Sequence, residues 1–123
     1  MLQSERRPPC QTTEHRPVTD PVARGVENGT KAINRREFCA AEPGGSDGLR
    51  VDVEGNLWCA WGGGEAEDGV AVFAPDGTMI GRIMLPERCA NVCFGGIKRN
   101  RLFMAASQSI YSLYVEAQGA PGG

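Results

Sequence analysis

Residues 48–61 read GLRVDVEGNLWCAW, two strands with a turn between them. From Gly48 to Val53 apolar and polar residues alternate, with Leu49, Val51 and Val53 on one face and Arg50 and Asp52 on the other, which is the period of a half-buried strand. Glu54-Gly55-Asn56 makes a turn, and Leu57 to Trp61 returns as a mostly buried strand. Downstream, Val70 to Phe73 is a third strand, ended by Pro75-Asp76-Gly77, where proline presets φ and glycine accepts a positive one. Thr78 to Leu85 (TMIGRIML) is a fourth, interrupted at Gly81. Helical periodicity is absent throughout this stretch.

The pattern then starts again. Asn91 to Gly95 (NVCFG) is followed by a loop, then by Leu102 to Ala106 (LFMAA) and Ser109 to Val115 (SIYSLYV). Leu57-Trp58-Cys59-Ala60 and Leu102-Phe103-Met104-Ala105 share an L-aromatic-x-A pattern, 45 positions apart. Four-stranded units recurring every ~40–50 residues are the signature of β-propeller blades, and the competing arrangement is two hairpin sheets packed as a small sandwich. A propeller closes a ring of ~4–8 blades. The 123 residues hold one full blade, most of a second, and a strand or two of an earlier one around Thr30 to Ala40, so the chain is expected to be a C-terminal fragment of such a ring.

Composition agrees with many tight strand connections. Glycine and proline number 17 and 8, too many turn-formers for a helix bundle or coiled coil. Residues 1–40 hold seven Lys/Arg against five Asp/Glu, and residues 41–123 six against ten. All eight aromatics lie at Phe38 or later, while four prolines fall at positions 8, 9, 17 and 21. So few large apolar groups cannot offset the ordering entropy of residues 1–27, which are read as an unpatterned, disordered or non-family segment. The net charge of −2 is too small for a polyanion binder, and Arg6-Arg7 and Arg35-Arg36 read as solvated surface, so no nucleic-acid partner is expected. No apolar run approaches the ~18 residues of a membrane helix, and MLQSERRPPC lacks the apolar core of a signal peptide, so no membrane partner and a cytoplasmic location are expected.

Several strings together resemble one family. Gly45-Ser46-Asp47-Gly48-Leu49-Arg50-Val51-Asp52-Val53-Glu54-Gly55-Asn56-Leu57-Trp58 is similar to the PDG-hydrophobic-x-hydrophobic-D-x-x-G-N-L-W signature of the SMP-30/gluconolactonase/LRE-like family. Phe73-Ala74-Pro75-Asp76-Gly77 with Gly81-Arg82-Ile83, Asn91-Val92-Cys93-Phe94-Gly95-Gly96, and Leu102 to Ala106 with Ser109-Ile110-Tyr111 resemble its later motifs, in order and at family spacing. The resemblance covers roughly residues 28–117, leaving 118–123 as a flexible tail. It implies a six-bladed propeller with a divalent cation, commonly calcium, in its channel, and hydrolysis of a small-molecule lactone such as gluconolactone. It also implies that Asp47 begins an inner strand, binds the metal and acts as the base. A carboxylate is a hard oxygen ligand suited to calcium, and Gly48 beside it lets the backbone turn sharply. Ser46 stands where the family usually has proline, which loosens the turn and leaves the carboxylate in place. The family's other metal ligands, a Glu and an Asn from earlier blades, have no counterpart in this sequence.

The remaining reactive residues read as structural. Asp52, Glu54, Asp68 and Asp76 are solvated or turn-stabilising. The five cysteines, at 10, 39, 59, 89 and 93, form no metal-binding spacing, and the single histidine, His15, lies in the unpatterned segment. Cys59 and Cys93, within strands, read as small buried hydrophobes. Trp58 packs between blades; Trp61, of opposite parity, is the better candidate for a pocket wall, with core packing its default. Gly62-Gly63-Gly64 is followed by Glu65, Glu67 and Asp68, which would repel a phosphate. The expectation is an all-β chain of about two C-terminal blades of a six-bladed propeller, from a calcium-dependent lactone hydrolase, inactive on its own and open to self-association through unpaired blade edges. The alternative is a non-catalytic β-module that needs the missing blades. Either way at least six strands and no long helix should lie between Gly48 and Val115.

Overall fold

The computed structural model describes residues 22–27, 31–39 and 43–121. Nine strands and no helix occur among them: β1 (Val22–Glu27), β2 (Lys31–Glu37), β3 (Gly45–Val51), β4 (Leu57–Gly62), β5 (Gly69–Phe73), β6 (Met79–Met84), β7 (Cys89–Gly95), β8 (Arg101–Ala106) and β9 (Ile110–Tyr114). Seven of them fall in the stretch expected to hold at least six. They form three antiparallel meanders, β1-β2, β3-β4-β5-β6 and β7-β8-β9, so the described chain carries one complete four-stranded blade between parts of two others. This is propeller architecture.

Strand parity builds the core on both faces of the central blade. Side chains of a strand point alternately to opposite faces. Trp58, Ala60, Val70 and Val72 therefore face the third sheet and pack on Cys89, Val92, Phe94, Leu102 and Met104. Cys59, Trp61, Ala71 and Phe73 face the other way and pack on Phe38 and Cys39 just after β2. With a neighbour on each face, β4 and β5 are buried almost throughout, which is why both read as apolar runs without alternation. Trp58 meets Phe94 edge-on across the first interface, centroids 5.3 Å apart, and thus lies between blades as expected. Phe73 takes an edge from Phe38 at 6.5 Å in the second.

Several sequence expectations change. The segment 1–27 ends in a strand: Val22–Glu27 pairs with β2, held by main-chain hydrogen bonds that need no large side chains, while residues 1–21 lie outside the described residues. Residues 118–120 are pinned rather than free. Gly119 bridges Asp52, Gln118 O accepts from Val53 N at 2.8 Å, and Ala120 N donates to Val51 O at 3.0 Å. Arg99 completes this clip, its Nε donating to Gly119 O at 3.1 Å and its Nη2 to Ala120 O. Cys59 is buried as expected, but Cys93 is exposed, because its parity on β7 points it to the uncovered face of the third sheet. Asp52 is 2% exposed, so it is not solvated; it does stabilise its turn. Its Oδ1 accepts from Glu54 N and Asn56 N, and its Oδ2 from Asn56 Nδ2 and Trp58 Nε1, all at 2.9–3.0 Å.

Candidate functional site at the bulged ends of two inner strands

The entrance to β3 is fixed before Asp47 is reached. Trp61 Nε1 donates to Pro43 O at 3.0 Å, and Gly44, at φ +93°, lies so close to that indole that a Cβ would sit 2.7 Å from Nε1. Trp61 is fully buried and walls no pocket; it anchors the strand that carries the candidate carboxylate. Ser46, expected in a turn, is already within β3 and pairs with Trp61.

Asp47 and Gly48 then form a β-bulge. Ser46 pairs with Trp61 and Leu49 with Cys59, so Asp47 and Gly48 together oppose Ala60 alone. A bulge leaves one residue unpaired and bends the strand, a common way to re-aim a side chain near a site. Asp47 is exposed at this point. The neighbouring strand repeats the device at the same end. On β7, Cys89 pairs with Ala106 and Asn91 with Ala105, so Ala90 is the extra residue. β3 and β7 pack together, and the two bulges meet: a Cβ on Gly48 would lie 2.0 Å from Asn91 Oδ1 and 3.1 Å from Ala90 O. Gly48 is therefore needed for close approach of β7, not for backbone rotation.

Around this junction lie Cys89 and Arg88. Cys89 is buried beneath it, with Sγ donating to Asn91 O at 3.4 Å. Burial pushes its thiol pKa up; a backbone hydrogen bond with Asn91 opposes this, and the Asp47 carboxylate adds to the rise. Cys59 is pushed up more strongly by burial, with Cys39 adding to it. Neither thiol is a thiolate nucleophile at neutral pH. Arg88 lays its stem over Gly62, where a Cβ would meet its Cγ at 2.5 Å.

Of Asp47, Asp52, Asp68 and Asp76, the described contacts bring Asp47 to this junction. Asp52 closes its own turn at the far end of β3. Asp68 caps Gly63 N and Gly64 N at 3.0 and 3.1 Å, and Asp76 caps Thr78 N at 2.9 Å. Hydrogen bonds hold both below the usual carboxylate range. Among the described residues no group of three or more His, Cys, Asp or Glu side chains gathers. Calcium takes ~6–8 oxygen ligands, so the described residues alone do not fit a calcium site. Asn91 was not singled out from sequence as a site residue. The 45-residue repeat sets Ala90-Asn91 on Gly45-Ser46; only the strand registers, with Asn91 opposite Ala105 and Asp47-Gly48 opposite Ala60, align it with the Asp47 bulge.

Fold and junction together define a β-propeller with a carboxylate on a bulged inner strand. A profile of the SMP-30/Gluconolactonase/LRE-like region matches residues 22–108, and the chain belongs to that family. It is 35% identical over 98 residues to the pentonolactonase XacC of Haloferax volcanii, covering 76% of this chain and 28% of that protein. Among solved structures, a gluconolactonase of Xanthomonas campestris matches with TM-score 0.66 and 31% identity, over 76% of this chain and 29% of the other. A luciferin-regenerating enzyme matches in fold, with TM-score 0.72 and 20% identity, over 83% of this chain and 40% of its own length. The chain thus spans less than a third of the lactonases it matches.

Proposed function

We propose that this chain carries part of the site of a lactone hydrolase, with Asp47 as its base. The observation that carries this is the exposed carboxylate on the β3 bulge, in a chain whose relatives include a pentonolactonase and a gluconolactonase. A lactone is a cyclic ester, and its hydrolysis needs a water deprotonated as it attacks the carbonyl carbon. Asp47, exposed on the bulge, takes that proton as the general base. The tetrahedral intermediate then expels the ring oxygen, which is protonated, giving the hydroxy acid. Calcium dependence belongs to the same proposal: Asp47 supplies one oxygen ligand, and the others come from outside the described residues. So does a cytoplasmic, reducing setting, in which thiols such as Cys59 and Cys89 stay reduced.

The test is hydrolysis of glucono-1,5-lactone by the 123-residue chain with and without calcium, beside Asp47→Asn. Removing a general base costs ~10²–10⁴-fold, so Asp47→Asn should lose at least a hundredfold. Equal rates in the two proteins would overturn the role of Asp47. The isolation of one carboxylate favours a second reading, a non-catalytic module that works only by association through its open sheet faces. Absence of both calcium binding in calorimetry and lactone turnover would establish that alternative for the chain by itself.

A further inference from the structure

We infer that Asn91 is a substrate-binding residue of the Asp47 site, donating an Nδ2–H to an oxygen of the lactone; this rests on the lactonase reading above. Four observations converge on it. Asn91 sits at the bulge of β7, beside the bulge of β3 that carries Asp47. Its carboxamide occupies the space that Gly48 leaves by having no Cβ, so the absence of a side chain at Gly48 brings the amide to the Asp47 strand. Its Oδ1 is committed to Val92 N at 2.9 Å, which fixes the plane of the amide, while Nδ2 carries the N–H donors. Asn91 is exposed on a strand whose neighbours Cys89, Val92 and Phe94 are buried.

The chemistry of the pair is complementary. A lactone presents a carbonyl oxygen, a ring oxygen and, in a sugar lactone, several hydroxyls; all accept hydrogen bonds. Asp47 only accepts when ionised, so alone it can take a hydroxyl's O–H but cannot donate to the carbonyl or ring oxygen. A neutral amide supplies the donor without neutralising the carboxylate, as a lysine or arginine would. A site that hydrogen-bonds a substrate oxygen discriminates against analogues lacking it.

The experiment is steady-state hydrolysis of glucono-1,5-lactone by the 123-residue chain, by Asn91→Ala and by Asn91→Asp. Aspartate keeps the acceptor for Val92 N and the shape of the side chain but has no N–H. Loss of one substrate hydrogen bond predicts a fall of about tenfold in kcat/KM for both variants, with thermal melting midpoints unchanged in at least one of them. Repeating the measurement with δ-valerolactone, which lacks hydroxyls, assigns the contact: a loss kept there places it on the carbonyl or ring oxygen, and a loss confined to the gluconolactone places it on a hydroxyl. Turnover by the unaltered chain that a folded variant matches within twofold overturns the role of Asn91 and leaves the lactonase reading standing. Absence of both turnover and calcium binding by the unaltered chain overturns the lactonase reading for the chain by itself, and this inference with it.

Discussion

Asp52 shows how far one side chain can organise the end of a blade. Four donors converge on a carboxylate that is 2% exposed, and one of them is the indole of Trp58, which also packs against Phe94. Asp52→Ala leaves that indole and two main-chain amides without their acceptor, and the expected cost is about 3 kcal/mol in urea unfolding. Burial alone would raise the Asp52 pKa, but the hydrogen bonds from Trp58, Asn56 and Glu54 outweigh it, and the folded value lies below the ordinary 3.8. A group depressed in this way contributes stability that is complete above the unfolded pKa and is lost as pH falls through the folded one. Melting temperature should therefore drop steeply below about pH 4, and Asp52→Asn should be less stable at pH 7 yet show a shallower acid drop. Asp68 and Asp76, held low by main-chain donors, keep part of that drop in the variant.

At the scale of elements, Gly69 at the start of β5 is the tightest point in the central blade. Its φ is +143°, and a Cβ there would lie 1.9 Å from the carbonyl oxygen of Ile83 on β6. That atom is backbone in a paired strand, so Gly69→Ala should cost about 3 kcal/mol or more, measured by chemical denaturation. Most strands were legible because turn residues bound them: Gly55 and Gly77 adopt φ of +87° and +92° where Glu54-Gly55-Asn56 and Pro75-Asp76-Gly77 were read as turns. The blade interface was legible too, from the parity of Trp58 and its counterpart in the repeat. β1 was not, since its stability is in main-chain pairing, which leaves no mark on hydrophobic period. Nor were the bulges, since one extra residue in β3 or β7 shows only against the register of its partner. Asp47 was therefore found by motif, and Asn91, which depends on two registers at once, was not. Cys93 was misread because a strand covered on one face and open on the other looks, in one dimension, like a buried one.

On the scale of the whole chain, the last sheet leaves one apolar face without a neighbour among the described residues, with Cys93, Ile110 and Tyr114 exposed on it. Leu49 and Val51 are part-exposed at the margin of the face of the central blade that Phe38 and Cys39 cover. What ties the central and last sheets, apart from the Trp58–Phe94 core, is the clip of residues 118–120 around Arg99. Arg99 has φ +55°, an uncommon conformation for a residue with a side chain, and its guanidinium holds the carbonyls of Gly119 and Ala120. Arg99→Ala should lose about 2 kcal/mol, while Arg99→Gly, which loses the same bonds but relieves the left-handed backbone, should recover about 1 kcal/mol of it. Comparison of the two unfolding midpoints checks this.

The clip also sets the route by which mechanical load enters the molecule. The last residues do not hang from β9: they run back to Val51 and Val53 and to the β7–β8 turn. A pull on the carboxyl end is therefore delivered first to hydrogen bonds at the end of β3 and to one arginine, and β9 is spared until these give way. In a single-molecule extension the first event should be a short release of the final residues, followed only then by the peeling of the last sheet.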